Sequence, residues 1–495
     1  MIGTKLMLGR NIQLPYRSAG NGFTKKIYLL SMCSIMLASI VVLQQKWYIN
    51  VNLTSLYIFY FILGLSNLCL TPKGISWDKI VGWSFFAYTI GVPLYAITNG
   101  GLEEFIGSKM YYSEVYQIDL IKESLIYNGL FLSAFYMAYF SFPQKTKIIK
   151  PQSQKAAEPK KMVYNYYHSK LFIMYWILAA MGLMLFGMVK INYFSAIAAG
   201  YSLGNSGYIF VFTGVFAINA GILILLRFSD FDKRYLIFAA CIHLILFPLG
   251  IRQLTLTFVI QLIFMYKFTN PAKKFKAKEI VFGILLVLLF GVIGSLRSGG
   301  GLVNITGILK APLSFFFYET TFNYISFLKC LELFQAEHIS FLYGKTLADP
   351  FIELIPSFLI GDKGKYQAFE SFIATYKSIQ NLRPVGTAHL LTELYVNGGI
   401  ASISVFAVLI GILSGIINDQ FQKMRQSGHR LGQIAFAVII PFVIIQLNRG
   451  GISVLIKLSV QFALLPIFIV VLFRKEVMAG SVLLFKKMMN VRWIP

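Results

Sequence analysis

Ile400-Ala401-Ser402-Ile403-Ser404-Val405-Phe406-Ala407-Val408-Leu409-Ile410-Gly411-Ile412-Leu413-Ser414-Gly415-Ile416-Ile417-Asn418 runs for nineteen residues without a charge. A helix needs about 20 largely apolar residues to cross the hydrocarbon of a bilayer, so this run predicts a transmembrane helix. Similar runs flank it. Downstream lie 433–448 and 452–473; upstream lie 27–45, 51–70, 79–98, 121–143, 171–189, 208–227, 235–250, 253–268 and 280–296. Together they give about twelve expected spans, of which the pair around Arg252 is short. The first run has no small-residue cleavage site and reads as an uncleaved helix.

Composition points the same way. The chain is 57% hydrophobic and 13% charged, against roughly 25% charged residues in soluble domains. The expectation is an all-α, polytopic integral membrane protein with no separate soluble domain. The net charge of +25 does not imply nucleic acid, because lysine and arginine collect in the cytoplasmic loops of membrane proteins. Loop 144–170 carries seven lysines against Glu158, while loop 99–119 carries Glu103, Glu104, Glu114 and Asp119 against Lys109 alone. This alternation predicts both termini on the cytoplasmic side and the stretch 297–399 on the other. Residues 1–296 then hold spans one to nine, 297–399 a large outer loop with short helices, and 400–495 the last three spans and a tail.

The four cysteines, Cys33, Cys69, Cys241 and Cys330, show no paired spacing, so neither a disulfide framework nor a zinc site is implied. No metal or other cofactor is expected. Gly344-Lys345-Thr346 lacks the upstream glycine of a phosphate loop. Lys345 and Asp349 read as a solvated pair, and His243 as a packed core histidine. The outer stretch is rich in rings, with Phe315, Phe316, Phe317, Tyr318, Phe322, Tyr324 and Phe327; it could lie in the interface or re-enter the membrane.

Charges at the ends of apolar runs are the main functional signal. Arg252, Arg297 and Arg449 each stand at the outer end of an expected span, beside Gly250, Ser298-Gly299 and Gly450. Arg383 lies in the outer loop itself. A charge near hydrocarbon costs several kcal/mol unless it is paired or hydrated, and the planar guanidinium fits phosphate oxygens in bidentate fashion. The four arginines therefore either grip a shared anionic ligand or snorkel to headgroups and pair with Glu319 or Glu353. His389 and Glu393 stand four apart and would share a helix face. Either could take a proton from a hydroxyl or simply contact the other. Glu319 is a further base, or an arginine's partner.

Gly250-Ile251-Arg252, Leu296-Arg297-Ser298-Gly299, Glu353-Leu354-Ile355-Pro356-Ser357-Phe358-Leu359, Gly386-Thr387, Glu393-Leu394-Tyr395, Gly398-Gly399 and Asn448-Arg449-Gly450 occur in this order. In that pattern the second half of the chain resembles the Wzy-type O-antigen polymerases of bacteria and the related enterobacterial common antigen polymerase. The resemblance implies a glycosyltransferase of the inner membrane that acts on its periplasmic face. Its substrates would be undecaprenyl-diphosphate-linked oligosaccharides, joined into polysaccharide without a nucleotide sugar. It further implies that Arg252, Arg297, Arg383 and Arg449 bind the lipid diphosphate, and that His389, Glu393 or Glu319 acts on the acceptor hydroxyl. The aromatic segments would stack on sugars or lipid. Membrane lipids and a chain-length regulator protein are the implied partners. An O-antigen ligase and a lipid-linked oligosaccharide flippase are the rival readings.

Overall fold

In lipid every backbone N–H and C=O must be satisfied within the protein, and a helix does this along a single segment. The computed structural model describes residues 22–70, 76–89, 118–142, 159–199, 207–229, 231–246, 249, 252–269, 312–336, 339–355, 357–375, 388–427 and 430–460. All the regular elements among them are helical. In chain order these are α1 (Gly22–Gln44), α2 (Leu53–Leu70), α3 (Trp77–Thr89), α4 (Ile118–Ser141) and α5 (Pro159–Lys190). Next come α6 (Tyr193–Ala199), α7 (Gly207–Phe228), α8 (Lys233–Leu246), α9 (Arg252–Thr269) and α10 (Pro312–Ala336). The last are α11 (Asp349–Leu354), α12 (Ser357–Ile360), α13 (Ala368–Thr375), α14 (Leu390–Ser427), α15 (Arg430–Gln446) and α16 (Gly451–Ser459). Among the described residues four segments are long and apolar enough to cross a membrane: Lys26–Gln44, Ile173–Lys190, Gly207–Arg227 and Leu390–Met424. The run 280–296 lies outside the described residues.

Burial follows the same logic. Helix α4 is the hub, buried continuously from Leu120 to Tyr136 and packed against α1, α2, α3, α10 and α14. The peripheral helices instead expose large apolar side chains, among them Leu30, Ile58, Leu178, Phe186, Val405 and Leu413. Apolar exposure on this scale suits lipid rather than water. Helices α5 and α7 approach closely along Gly207, Gly214 and Gly221. A Cβ at Gly214 would lie 2.7 Å from the Ala180 carbonyl oxygen. Small residues that let backbones meet are the usual glue of membrane helices.

Contacts at the helix ends fix the relative directions. At one end, here the lower, the Trp77 N–H donates to Asn418 Oδ1 (3.1 Å), Arg227 Nε donates to Gln433 Oε1 (2.9 Å), and Lys170 lies over the Tyr235 ring. At the other, upper end, Glu123 accepts from Tyr48 and Gln335, Lys190 lies over Phe210, and the Tyr193 hydroxyl donates to the Ile245 carbonyl. Helices α5, α7 and α8 thus run up, down and up. His243 is a packed core residue, as expected. Its ring nitrogens bond Thr255 and Asn219, and Phe258 stacks on it.

The stretch 297–399 holds the expected short helices, α11, α12 and α13, and one long element besides. It contains α10, a helix of 25 residues, whose apolar character is interrupted by Glu319, Thr320, Thr321 and Asn323. Both the middle of α10 (Tyr324, Phe327) and its end (Gln335) reach residues 123–127 of α4. Residues 324 and 335 are roughly 16 Å apart along a helix axis, so α10 crosses α4 rather than lying beside it. Tyr324 and Phe327 are fully buried in this crossing, which corrects their expected role as sugar- or lipid-stacking rings.

Helix α14 breaks at Gly398-Gly399. Gly399 has φ +57° and ψ −135°, a conformation open to glycine and strained for residues with a Cβ. A Cβ there would also sit 3.2 Å from the Phe341 ring. The break lets residues 339–342 come alongside, and the Leu342 N–H donates to the Val396 carbonyl at 2.9 Å.

Candidate functional site

The site is built on the turn between α15 and α16. Helix α15 ends when the Arg449 and Gly450 N–H groups both turn back to the Gln446 carbonyl. Asn448 is buried and donates to Ser84 Oγ at 3.0 Å, while Ser84 donates to the Ile444 carbonyl at 2.8 Å. The turn is thereby pinned to α3. Gly451 follows with φ +68° and opens α16. The Ile452 N–H then donates to Glu393 Oε2 at 2.9 Å. A carboxylate at this place satisfies a backbone donor that the first helical turn leaves unpaired and meets the positive end of the helix dipole. Glu393 is buried; Arg449 is half-buried on the same turn.

A second cluster lies two turns further along α16. Glu353 of α11 accepts from Lys457 Nζ at 2.6 Å and from Gln367 Nε2 at 2.7 Å. Lys363 Nζ stands 3.9 Å from the same carboxylate and donates to the Glu353 carbonyl at 2.8 Å. Burial works against the Glu353 carboxylate, but Lys457, Gln367 and Lys363 outweigh it and hold its pKa below the usual glutamate value. A carboxylate with a depressed folded pKa contributes stability that is complete above its unfolded pKa, about 4.3. That contribution is lost as pH falls through the folded value.

Lys457→Met leaves Glu353 with a distant lysine and one amide. We expect the docking of α11 on α16 to weaken by about 1–2 kcal/mol. Limited proteolysis should cut within 343–375 faster than in wild type at pH 7. The difference should close as pH falls through the depressed folded pKa of Glu353, where wild type loses the same interaction. Adding Glu353→Gln should restore much of the resistance, since the uncompensated charge is then gone. Equal cutting of all three proteins at neutral pH would count against this ion pair as the anchor.

Among the seven residues singled out from sequence, the structure brings Glu393 and the Arg449 turn together. Arg252 is the first residue of α9, and Glu319 lies in the second turn of α10. Arg297 and Arg383 lie outside the described residues. His389 is fully buried. Its Nδ1 accepts the Leu391 N–H at 3.2 Å, with Phe327 stacked on the ring and Phe85 edge-on. It caps the start of α14, with its ring packed among aromatic side chains. Asp349 is buried rather than solvated beside Lys345. Its two oxygens accept the Ala368 and Phe369 N–H groups at 2.8 and 3.0 Å and cap α13. Glu353, expected as a partner for arginine, takes two lysines.

Lys457 is a lone cation inside an apolar run, and that position is the sequence signal that marks it. Among the described residues no group of three or more His, Cys, Asp or Glu side chains could hold a metal ion. No family model, no curated protein and no solved structure matches the chain.

Proposed function

We propose that the chain is a membrane glycosyltransferase of the O-antigen polymerase type, joining undecaprenyl-diphosphate-linked repeat units. The observation that carries this reading is the Glu393 carboxylate fixed against the Arg449-Gly450-Gly451-Ile452 turn. It holds a carboxylate against the turn that carries Arg449, at the upper end of an apolar bundle, where the headgroup of a lipid-linked substrate would travel. Asp119 and the Tyr48–Glu123–Gln335 contact belong to the same end. The lysine-rich loop 144–170 follows the lower end of α4. This charge asymmetry supports a cytoplasmic lower end and a periplasmic upper end.

In the proposed reaction the acceptor hydroxyl oxygen attacks the anomeric carbon of the donor glycan. The bond from that carbon to the phosphate oxygen breaks, and its electron pair leaves with the lipid diphosphate. Glu393 takes the hydroxyl proton. Arg449, with Arg252, Arg297 and Arg383, stabilises the departing charge, as fixed cations do for phosphoryl leaving groups. The packing of the His389 ring between Phe85 and Phe327 favours Glu393, which stands at the turn that carries Arg449, as the base.

A glycan ladder tests this. The gene is deleted and complemented with wild type, Arg252→Ala or Arg297→Ala, and surface lipopolysaccharide is resolved by gel. The expected outcome is collapse of the ladder to a single repeat in the deletion, restored by wild type and by neither variant at equal expression. Loss of all core-attached glycan would indicate the ligase reaction. A ladder restored by both variants would discard the arginine clamp.

A further inference from the structure

We propose that residues 343–366 are seated in the lipid leaflet at the upper end of the bundle, with an apolar ridge against acyl chains. This inference rests on the membrane embedding alone and stands apart from the polymerase reading. The ridge consists of Tyr343, Leu347, Phe351, Ile355 and Leu359, five residues at intervals of four, all exposed. Tyr343, Phe351 and Leu359 are 80%, 70% and 64% exposed. Leu347 and Phe351 lie one turn apart where the turn 345–348 runs into α11 and share a face; Tyr343 precedes the turn, Ile355 closes α11 in an extended conformation and Leu359 lies on α12.

The polar groups of this segment point the other way. Thr346 is buried and accepts from Asn397 at 2.6 Å. Asp349 is buried on α13, and Glu353 is engaged by Lys457. A segment in water would turn these groups out and the rings in. The reverse sense suits an element whose outer surroundings are hydrocarbon.

Depth is given independently by Lys457. It follows Gly451 by six residues, about 9 Å along the axis of α16, within the apolar run 452–473. Glu353 reaches it at 2.6 Å, so α11 lies beside the first two turns of α16 and not above its end. Elements lying in a membrane interface bury their apolar face about 5–10 Å below the headgroups, the same depth. The exposed Lys345 and Lys365 stand toward the two ends of the segment, and its exposed acid is Asp362. That balance fits phosphate headgroups above the acyl region.

The test uses the full chain with its four cysteines replaced by alanine, reconstituted in vesicles of phosphatidylethanolamine and phosphatidylglycerol. A nitroxide is attached at Phe351→Cys or Leu359→Cys, and at the exposed Ser340→Cys and Ser371→Cys for reference. Collision rates are measured with oxygen, which concentrates in lipid, and with a nickel chelate, which stays in water. The expected oxygen-to-nickel ratio is several-fold higher at 351 and 359 than at 340 and 371. Equal ratios at all four positions would overturn the proposal by placing the segment in water. Spin–spin broadening with low access to both reagents would overturn it in favour of a second copy of the chain. Labels on exposed side chains disturb little packing; if one does not yield folded protein, Tyr343→Cys takes its place.

Discussion

Gly451→Ala is expected to abolish polymer formation while the protein remains folded in the membrane. Gly451 has φ +68°, and placing a residue with a Cβ in that region costs about 1–2 kcal/mol. The added Cβ would fall on Glu393 Oε2. That oxygen is the end of a flexible side chain, so the clash is relieved by swinging the carboxylate aside rather than by unfolding. The movement breaks the bond to the Ile452 N–H, a charge-assisted contact of about 1.5–3 kcal/mol, and separates Glu393 from the Arg449 turn. The reading is the repeat ladder together with the melting temperature. We expect a single-repeat product and a Tm lowered by a few degrees. Gly450→Ala is the control, because a Cβ there meets Val454 instead. It should lower stability and keep the ladder. A full ladder from Gly451→Ala would show that the position of Glu393 is immaterial to the chemistry.

Much of the fold was legible because lipid leaves the chain few choices. Runs such as 27–45, 208–227 and 400–418 had to be helical; the first two fall within five residues of α1 and α7, and the third lies inside the second half of α14, which continues to Ser427. The Gly398-Gly399 pair could be read as the edge of a run; that it is a left-handed break admitting Phe341 depends on a ring nearly sixty residues away. Helix α10 was not legible as a long element, since Glu319, Thr320, Thr321 and Asn323 dilute its apolarity where it crosses other helices. The site was half legible. Spacing put His389 and Glu393 on one face, but their contacts differ: Phe85 and Phe327, from distant parts of the chain, pack the His389 ring, while Glu393 meets the Ile452 N–H. Asp349 looked solvated because its partners are backbone groups 19 and 20 residues on. Lys457 carried the clearest local signal, a lone cation in an apolar run, and its carboxylate partner could not be chosen without the fold.

Glu393→Gln separates the cap that the structure shows for this side chain from the proton transfer proposed for it. The amide oxygen of glutamine can accept the Ile452 N–H as the carboxylate does, so the turn and Arg449 keep their places. The capacity to take a proton at neutral pH is lost, since an amide is not a base there. Removing a general base typically lowers a rate by about 10²–10⁴-fold, and we expect that loss in the transfer of labelled repeat units by reconstituted protein. Binding of the lipid diphosphate should change far less, because the cations are untouched. Glu393→Ala, in contrast, removes both tasks and should lower stability as well as rate. The pair of variants therefore gives a clear decision. A rate near wild type for Glu393→Gln with a low rate for Glu393→Ala would make Glu393 a cap on α16 and nothing more. The base would then have to be sought among residues at the upper end of the bundle, with Glu319 on α10 the first to replace. A low rate for both, with stability lost only in the alanine variant, assigns the proton transfer to Glu393.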